Sequence, residues 1–204
     1  QFADYYISSS NDHTICIKTP YSDIINLHTN DLEPHTLNNI LFSIALSYEA
    51  GARSSNVTEG LGNYNDVDGR FSIKKGHHGS KVIDSSYNAN PQSFIASINS
   101  LSKLDGESWL VMGEMGELGE NSELYHKQVA RYAYDMGVKK LFVISKHAST
   151  ILDEFGQNSY AFDSVDALII FIKPQLNDSV NILVKASRFM KFEIIVNALT
   201  ERKN

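Results

Sequence analysis

Residues 84–93 run Asp84-Ser85-Ser86-Tyr87-Asn88-Ala89-Asn90-Pro91-Gln92-Ser93, which gathers a carboxylate, two asparagines and the hydroxyls of Ser85, Ser86 and Tyr87 into ten residues. The apolar pair Val82-Ile83 leads in, and Ile95, Ile98, Leu101 and Leu104 lead out at helical spacing. A strand-to-helix turn of this kind aims side-chain donors and the unbonded amides of a helix start at one point. That is how α/β proteins hold a phosphate or another polar ligand. The same residue types also cap helices and satisfy their own backbone in ordinary polar turns. Composition alone leaves both readings open.

Two further polar turns follow apolar strands. Ser108–Met112 runs into Gly113-Glu114-Met115-Gly116-Glu117-Leu118-Gly119, and Asn181–Lys185 runs into Ala186-Ser187-Arg188. Strands without polar alternation, separated by helix-length segments, predict a mostly parallel sheet covered on both faces. Helices are expected over Ser122–Met136, Ala148–Phe155, Val165–Ile172 and Met190–Leu199, with strands at Leu141–Ser145 and Tyr160–Phe162. Ligand sites in such sheets lie at the carboxyl ends of strands. All three polar turns fall there, which favours a site.

The first 70 residues follow a different plan. Asp4–Ser9, His13–Lys18 and Asp23–His28 alternate as a short strand meander. From Pro34 the period becomes 3.6, with Leu37, Ile40, Leu41, Ile44, Ala45 and Tyr48 forming one apolar stripe that stops at Gly51. A second helix is expected near Ser55–Leu61. Gly76-His77-His78-Gly79 reads as a hairpin tip; no Cys, Asp or Glu stands at ligand spacing to make the histidine pair a metal site. So small a meander is marginal without something to pack on. With Gln1 in place of Met, the expected reading is a piece of a larger protein; processing or tag removal would also leave such a start.

Charge excludes several function classes. The 204 residues carry a net charge of −6. Residues 1–70 hold three basic residues, Lys18, Arg53 and Arg70, against nine acidic ones, and the remainder is balanced. No basic stripe is available for nucleic acid, and the acidic balance disfavours an anionic membrane surface. No run approaches the length of a membrane span. The one cysteine, Cys16, lies in an alternating strand and reads as packed; a chain with no possible internal disulfide fits a reducing compartment.

The Asp84–Pro91 run resembles a signature of the Mur ligase family, in the form Asp-Asp-Ser-Tyr-Asn-Ala-Asn-Pro found in members that add D-alanyl-D-alanine. Other motifs follow in order. His35-Thr36-Leu37-Asn38-Asn39 resembles the family's His-Asn-x-x-Asn helix start, and Gly69-Arg70 its Gly-Arg. Gly113–Gly119, with His126 on the next helix, resembles Gly-Asp-Met-Gly-Glu-Leu-Gly, and Lys185-Ala186-Ser187-Arg188 resembles Lys-Gly-Ser-Arg. The resemblance implies an α/β fold in two parts. Residues 1–69 would be the tail of a central P-loop ATPase domain, and residues 70–204 a Rossmann-like C-terminal domain.

The activity implied is a cytoplasmic step of peptidoglycan assembly. D-alanyl-D-alanine is joined to UDP-N-acetylmuramoyl-tripeptide with ATP and Mg²⁺, through an acyl phosphate and a tetrahedral intermediate. By position, the resemblance puts His35 and Asn39 on the adenine side and Arg70 near the nucleotide phosphates or ribose. Asp84, Asn88 and Asn90 would stand at the reaction centre, with Asp84 also facing the nucleotide. Ser86, Tyr87, Asn88, Asn90, Lys185, Ser187 and Arg188 would line the wall that receives substrate. No residue is assigned to a metal. A P-loop needs Gly-Lys before Ser or Thr, and the sequence contains no Gly-Lys. The chain alone is therefore expected to be inactive, to hold no cofactor tightly, and to need the nucleotide-gripping and uridine-binding domains as partners.

Departures from the motifs bear on activity. Thr36 stands for Asn, Ser85 for the second Asp, Glu114 for Asp and Ala186 for Gly, the last removing easy access to positive φ. A degenerate homologue and a stand-alone ligand-binding or interaction module are the alternatives. A dinucleotide oxidoreductase would need a Gly-x-Gly-x-x-Gly turn after a strand, which is missing.

Overall fold

The computed structural model describes residues 4–11, 14–28, 34–63 and 69–201, and the chain forms two compact units, 1–65 and 66–204. In the first unit, β1 (Tyr6–Asn11), β2 (Thr14–Lys18) and β3 (Ile24–His28) form an antiparallel sheet in sequence order. Period-two alternation sends Ile15 and Ile17 of β2 and Ile25 and Leu27 of β3 into the core. There they meet Ile44 of α1 (Pro34–Glu49) and Val57 of α2 (Ser54–Gly62). Cys16, on the other face of β2, is half-buried.

The second unit is a six-stranded sheet in the order β4-β5-β9-β6-β7-β8. Its strands are β4 (Ser72–Lys75), β5 (Lys81–Ser85), β6 (Glu107–Met112), β7 (Lys140–Val143), β8 (Ser159–Ala161) and β9 (Val180–Lys185). β4 pairs antiparallel with β5 through the expected tip, a short 3-10 turn at His77–Gly79; every other pairing is parallel. Its helices are α3 (Pro91–Ser102), α4 (Ser122–Asp135), α5 (Ala148–Phe155), α6 (Val165–Ile172) and α7 (Glu193–Leu199).

Both faces of the sheet are apolar, which explains why its strands lack polar alternation. Ile83, Leu110, Met112, Leu141 and Leu183 meet the layer that contains Phe94 and Ile98 of α3 and Val129 of α4. Val82, Trp109, Val111, Phe142, Ile182 and Val184 meet Leu168 of α6 and Ile195 of α7. No helix among the described residues is long and apolar enough to cross a membrane.

Two expectations are corrected. Met190–Leu199 is not one helix: Arg188–Met190 makes a 3-10 turn, Lys191 takes a left-handed conformation (φ 52°), and α7 begins at Glu193. The break lets Phe192 point inward, fully buried, against Gly113, where any Cβ would come within 2.7 Å of its ring. Asp84 and Ser85 likewise belong to β5 and not to the turn, because they pair with Val184 and Lys185 of β9.

Leu183 is fully buried on the central strand. Leu183→Ala should cost about 3 kcal/mol in a urea titration followed by the fluorescence of Trp109, through lost burial and a residual cavity.

Candidate functional site

The site is built by register. Ser85 of β5 stands beside Lys185 of β9, and Lys185 stands beside Met112 of β6, so three neighbouring parallel strands end flush. The three polar turns of the sequence therefore emerge side by side at one sheet edge.

The turn after β5 is held from within. Asp84 is 2% exposed, and one of its carboxylate oxygens accepts the Ser86 amide (3.1 Å) and hydroxyl (2.7 Å). The other takes the Lys74 ammonium at 2.8 Å. At the far end Asn90 caps α3: its side chain accepts the Ser93 amide at 2.8 Å, the Asn90 amide donates to the Ser93 hydroxyl at 3.0 Å, and Pro91 opens the helix. Such a cap is worth about 1 kcal/mol. Asn88 turns its side-chain oxygen back onto the Ala89 amide (2.8 Å).

Lys185 locks this turn to β9. The side chain is 3% exposed, and its ammonium donates to the Ser85 hydroxyl and the Asn88 carbonyl, both at 3.0 Å. The ring of Phe94 lies 5.5 Å away, and among the described residues no carboxylate pairs with the ammonium. Burial without a counter-charge disfavours the cation and pushes Lys185 down to about 8.

The turns after β6 and β9 hold each other. The Ser187 amide donates to the Glu114 carbonyl (2.9 Å), and the Gly116 amide donates to the Ser187 hydroxyl (2.8 Å). That hydroxyl donates in turn to the Ala89 carbonyl at 3.3 Å. One buried serine thus touches all three turns. Glu114 accepts the Ser145 hydroxyl (2.9 Å) and the Lys146 amide (2.7 Å), which ties the loop to the end of β7. Ala186 does not adopt positive φ, so the alanine in place of the family's glycine carries no backbone strain.

Outside this frame lie the groups open to a ligand. Tyr87 is 41% exposed, with the Arg70 guanidinium 4.9 Å and the Arg188 guanidinium 5.8 Å from its ring centre. Gly69 makes the first approach possible: its φ is +83°, its carbonyl accepts the Tyr87 amide (3.0 Å), and an added Cβ would fall 2.9 Å from that amide. Arg188 reaches Glu193 only loosely, at 3.6 Å. Asn88, Asn90 and Phe189 are exposed beside them in the chain. Two guanidinium groups at one aromatic ring suit a carboxylate or a phosphate.

The structure therefore sorts the expected site residues into two groups. Arg70, Tyr87, Asn88, Asn90 and Arg188 are presented outward. Asp84, Ser86, Lys185 and Ser187 are interior braces whose polar atoms are spent on the turns, so Asp84 is placed away from the open surface it was expected to share with a nucleotide. Asn39 is exposed on α1 in the first unit, and the expected role of His35 falls on a side chain outside the described residues. Sequence reasoning missed Lys74 and Phe189, and named Glu114 only as a departure within its motif. Only Lys74 carried a signal: the antiparallel hairpin, with Lys74 opposite Val82, sets it diagonal to Asp84.

Lys185 titrates near 8 when folded and near 10.5 when unfolded. The penalty for its buried charge is complete below pH 8 and fades as pH rises to 10.5. The stability of wild type relative to Lys185→Met should accordingly improve across that window in paired urea titrations. Ser85→Asp, which places a carboxylate beside the ammonium, should move the Lys185 titration upward, as read from its side-chain carbon shift.

Comparison with known proteins identifies the family. The family described as "Mur ligase, glutamate ligase domain" matches residues 69–188. A UDP-N-acetylmuramoyl-tripeptide–D-alanyl-D-alanine ligase from Escherichia coli is 34% identical over 82% of this chain and 37% of its own length. The enzyme of that name from Haemophilus influenzae is 32% identical over 84% of the chain and 38% of its own length. The chain thus spans little more than a third of these relatives. Its fold is similar to MurF from Acinetobacter baumannii (TM-score 0.80, 24% identity, 98% of this chain and 46% of that one). It is also similar to MurF from Thermotoga maritima in complex with ADP (TM-score 0.72, 21% identity, 96% and 44%). By the family match over residues 69–188, more than half of its length, the chain belongs to the Mur ligases.

Proposed function

We propose that this chain supplies the closing, C-terminal part of a cytoplasmic ATP-dependent ligase that joins D-alanyl-D-alanine to UDP-N-acetylmuramoyl-tripeptide. The observation that carries the reading is the pairing of Arg70 and Arg188 at the Tyr87 ring, on a surface braced by the three strand-end turns. The names of the two sequence relatives described above support the substrates. Residues 1–69 correspond in this reading to the tail of the nucleotide-gripping domain and residues 70–204 to the domain that closes over it.

The chemistry needs a leaving phosphate kept in place and a dipeptide amine aimed at an activated carboxyl. Arg70 suits the phosphate side, because a guanidinium can fork onto two oxygens without giving up its charge. Arg188 suits the dipeptide carboxylate, with Tyr87 holding both cations over one surface and the Asn88 and Asn90 amides offering neutral donors beside them. ATP, when bound, would supply the phosphoryl group that activates the tripeptide carboxylate. Asn39, with His35, would meet its adenine. No residue here is assigned to Mg²⁺. Asp84, Ser86, Lys185 and Ser187 act by holding the presenting turns.

Calorimetric titration tests the reading. The chain should bind D-alanyl-D-alanine weakly and NAD not at all, and Arg188→Ala should weaken the dipeptide about tenfold, the worth of one charge-assisted contact. Equal binding of the L,L-dipeptide, or an Arg188→Ala variant that binds as wild type does, would overturn the assignment. With ATP, Mg²⁺ and both substrates, this chain should release no phosphate above background; turnover would refute the need for a P-loop partner.

A further inference from the structure

His126 of α4 is fully buried, beneath the turn that follows β6. Its Nδ1 lies 2.7 Å from the Ser122 carbonyl, an acceptor only, so Nδ1 carries the proton. Its Nε2 is then a bare lone pair, and the Met115 amide donates to it at 2.9 Å. The next amide, Gly116, donates to the Ser187 hydroxyl. From ring to site there are only two hydrogen bonds and one peptide unit.

We propose that His126 is a positioning residue that clamps the Gly113–Gly119 loop, and through it Ser187, only while its imidazole is neutral. The clamp is a property of this chain; its effect on substrate rests on the function proposed above. A proton on Nε2 would set an N–H against the Met115 N–H, two donors with no acceptor between them. The amide then leaves the ring, and the Gly116 amide that follows it loses its fixed aim at Ser187.

The surroundings keep the ring neutral near pH 7. Burial lowers its pKa below 6.5, chiefly by desolvation of the imidazolium. The hydrogen bond to the Ser122 carbonyl and, from the loop, Glu114 pull the other way, while His147 and Lys146, just before α5, oppose the proton. The His147 ring centre is 5.0 Å away, and its Nε2 lies 3.1 Å from the Ser122 hydroxyl. On α4 itself Glu123 accepts the Thr150 hydroxyl and so is held toward α5. The folded value lies below the unfolded one, so the clamp is whole above pH 6.5 and is lost as pH falls through the lower folded value.

Amide hydrogen exchange by NMR tests this in the 204-residue chain, with the ring nitrogen shifts of His126 recorded in the same samples. Protection of Met115 and Gly116, corrected for intrinsic rates, should fall at least about tenfold as Nε2 takes up its proton, the loss of one buried hydrogen bond. His126→Gln, whose amide can both donate and accept, should keep both sites protected across the same range. His126→Phe should leave them unprotected throughout. Unchanged protection while Nε2 is protonated, or full protection in His126→Phe, would overturn the clamp; should that variant not fold, the wild-type titration decides alone. D-alanyl-D-alanine affinity should follow the protection. A switching loop in a chain that never binds the dipeptide would refute the function and leave the clamp standing.

Discussion

An ammonium buried at the ends of three parallel strands is the constraint around which the second unit is arranged. Taking Lys185 out of water costs several kcal/mol unless its donors find acceptors. The acceptors it has are the Ser85 hydroxyl and the Asn88 carbonyl. The first ends β5 and the second lies in the turn that follows, so that turn cannot open without taking an acceptor from the cation. The flush register of β5, β9 and β6 puts the remaining two turns within reach, and Ser187 closes the set.

This gives the site a division of labour that residue types alone do not suggest. Polar side chains that look like ligand contacts, Asp84 and Ser187 above all, are spent on backbone groups and on Lys74. What they brace is a small outward surface of Tyr87, Arg70 and Arg188. Rigid support behind a few presented groups is what a positioning site requires, because activity depends on where donors stand more than on how many there are. The serine at position 85, where the family carries a second aspartate, also finds a physical consequence. A carboxylate there would neutralise Lys185; the hydroxyl leaves it charged, buried and readily deprotonated.

Much of the fold was legible in the sequence because its signals are periodic. Continuous apolar strands at 108–112 and 181–185 announce a covered parallel sheet, and Asn90-Pro91 announces a capped helix start. The misread start of the last helix has a tertiary cause: Phe192 must fill the space beside Gly113, and no local propensity records that demand. Candidate site residues were legible as types but not as orientations. Whether a serine faces ligand or backbone depends on register between strands a hundred residues apart, as with Ser85 and Lys185.

The central claim is that the ends of β5 and β9 are one mechanical object joined through Lys185. A double-mutant cycle on unfolding free energy, combining Lys185→Met with Ser85→Ala and read by Trp109 fluorescence, measures that joint directly. A coupling of about 1 kcal/mol or more is predicted for partners in one buried hydrogen bond. Additive effects, within about 0.3 kcal/mol, would contradict it.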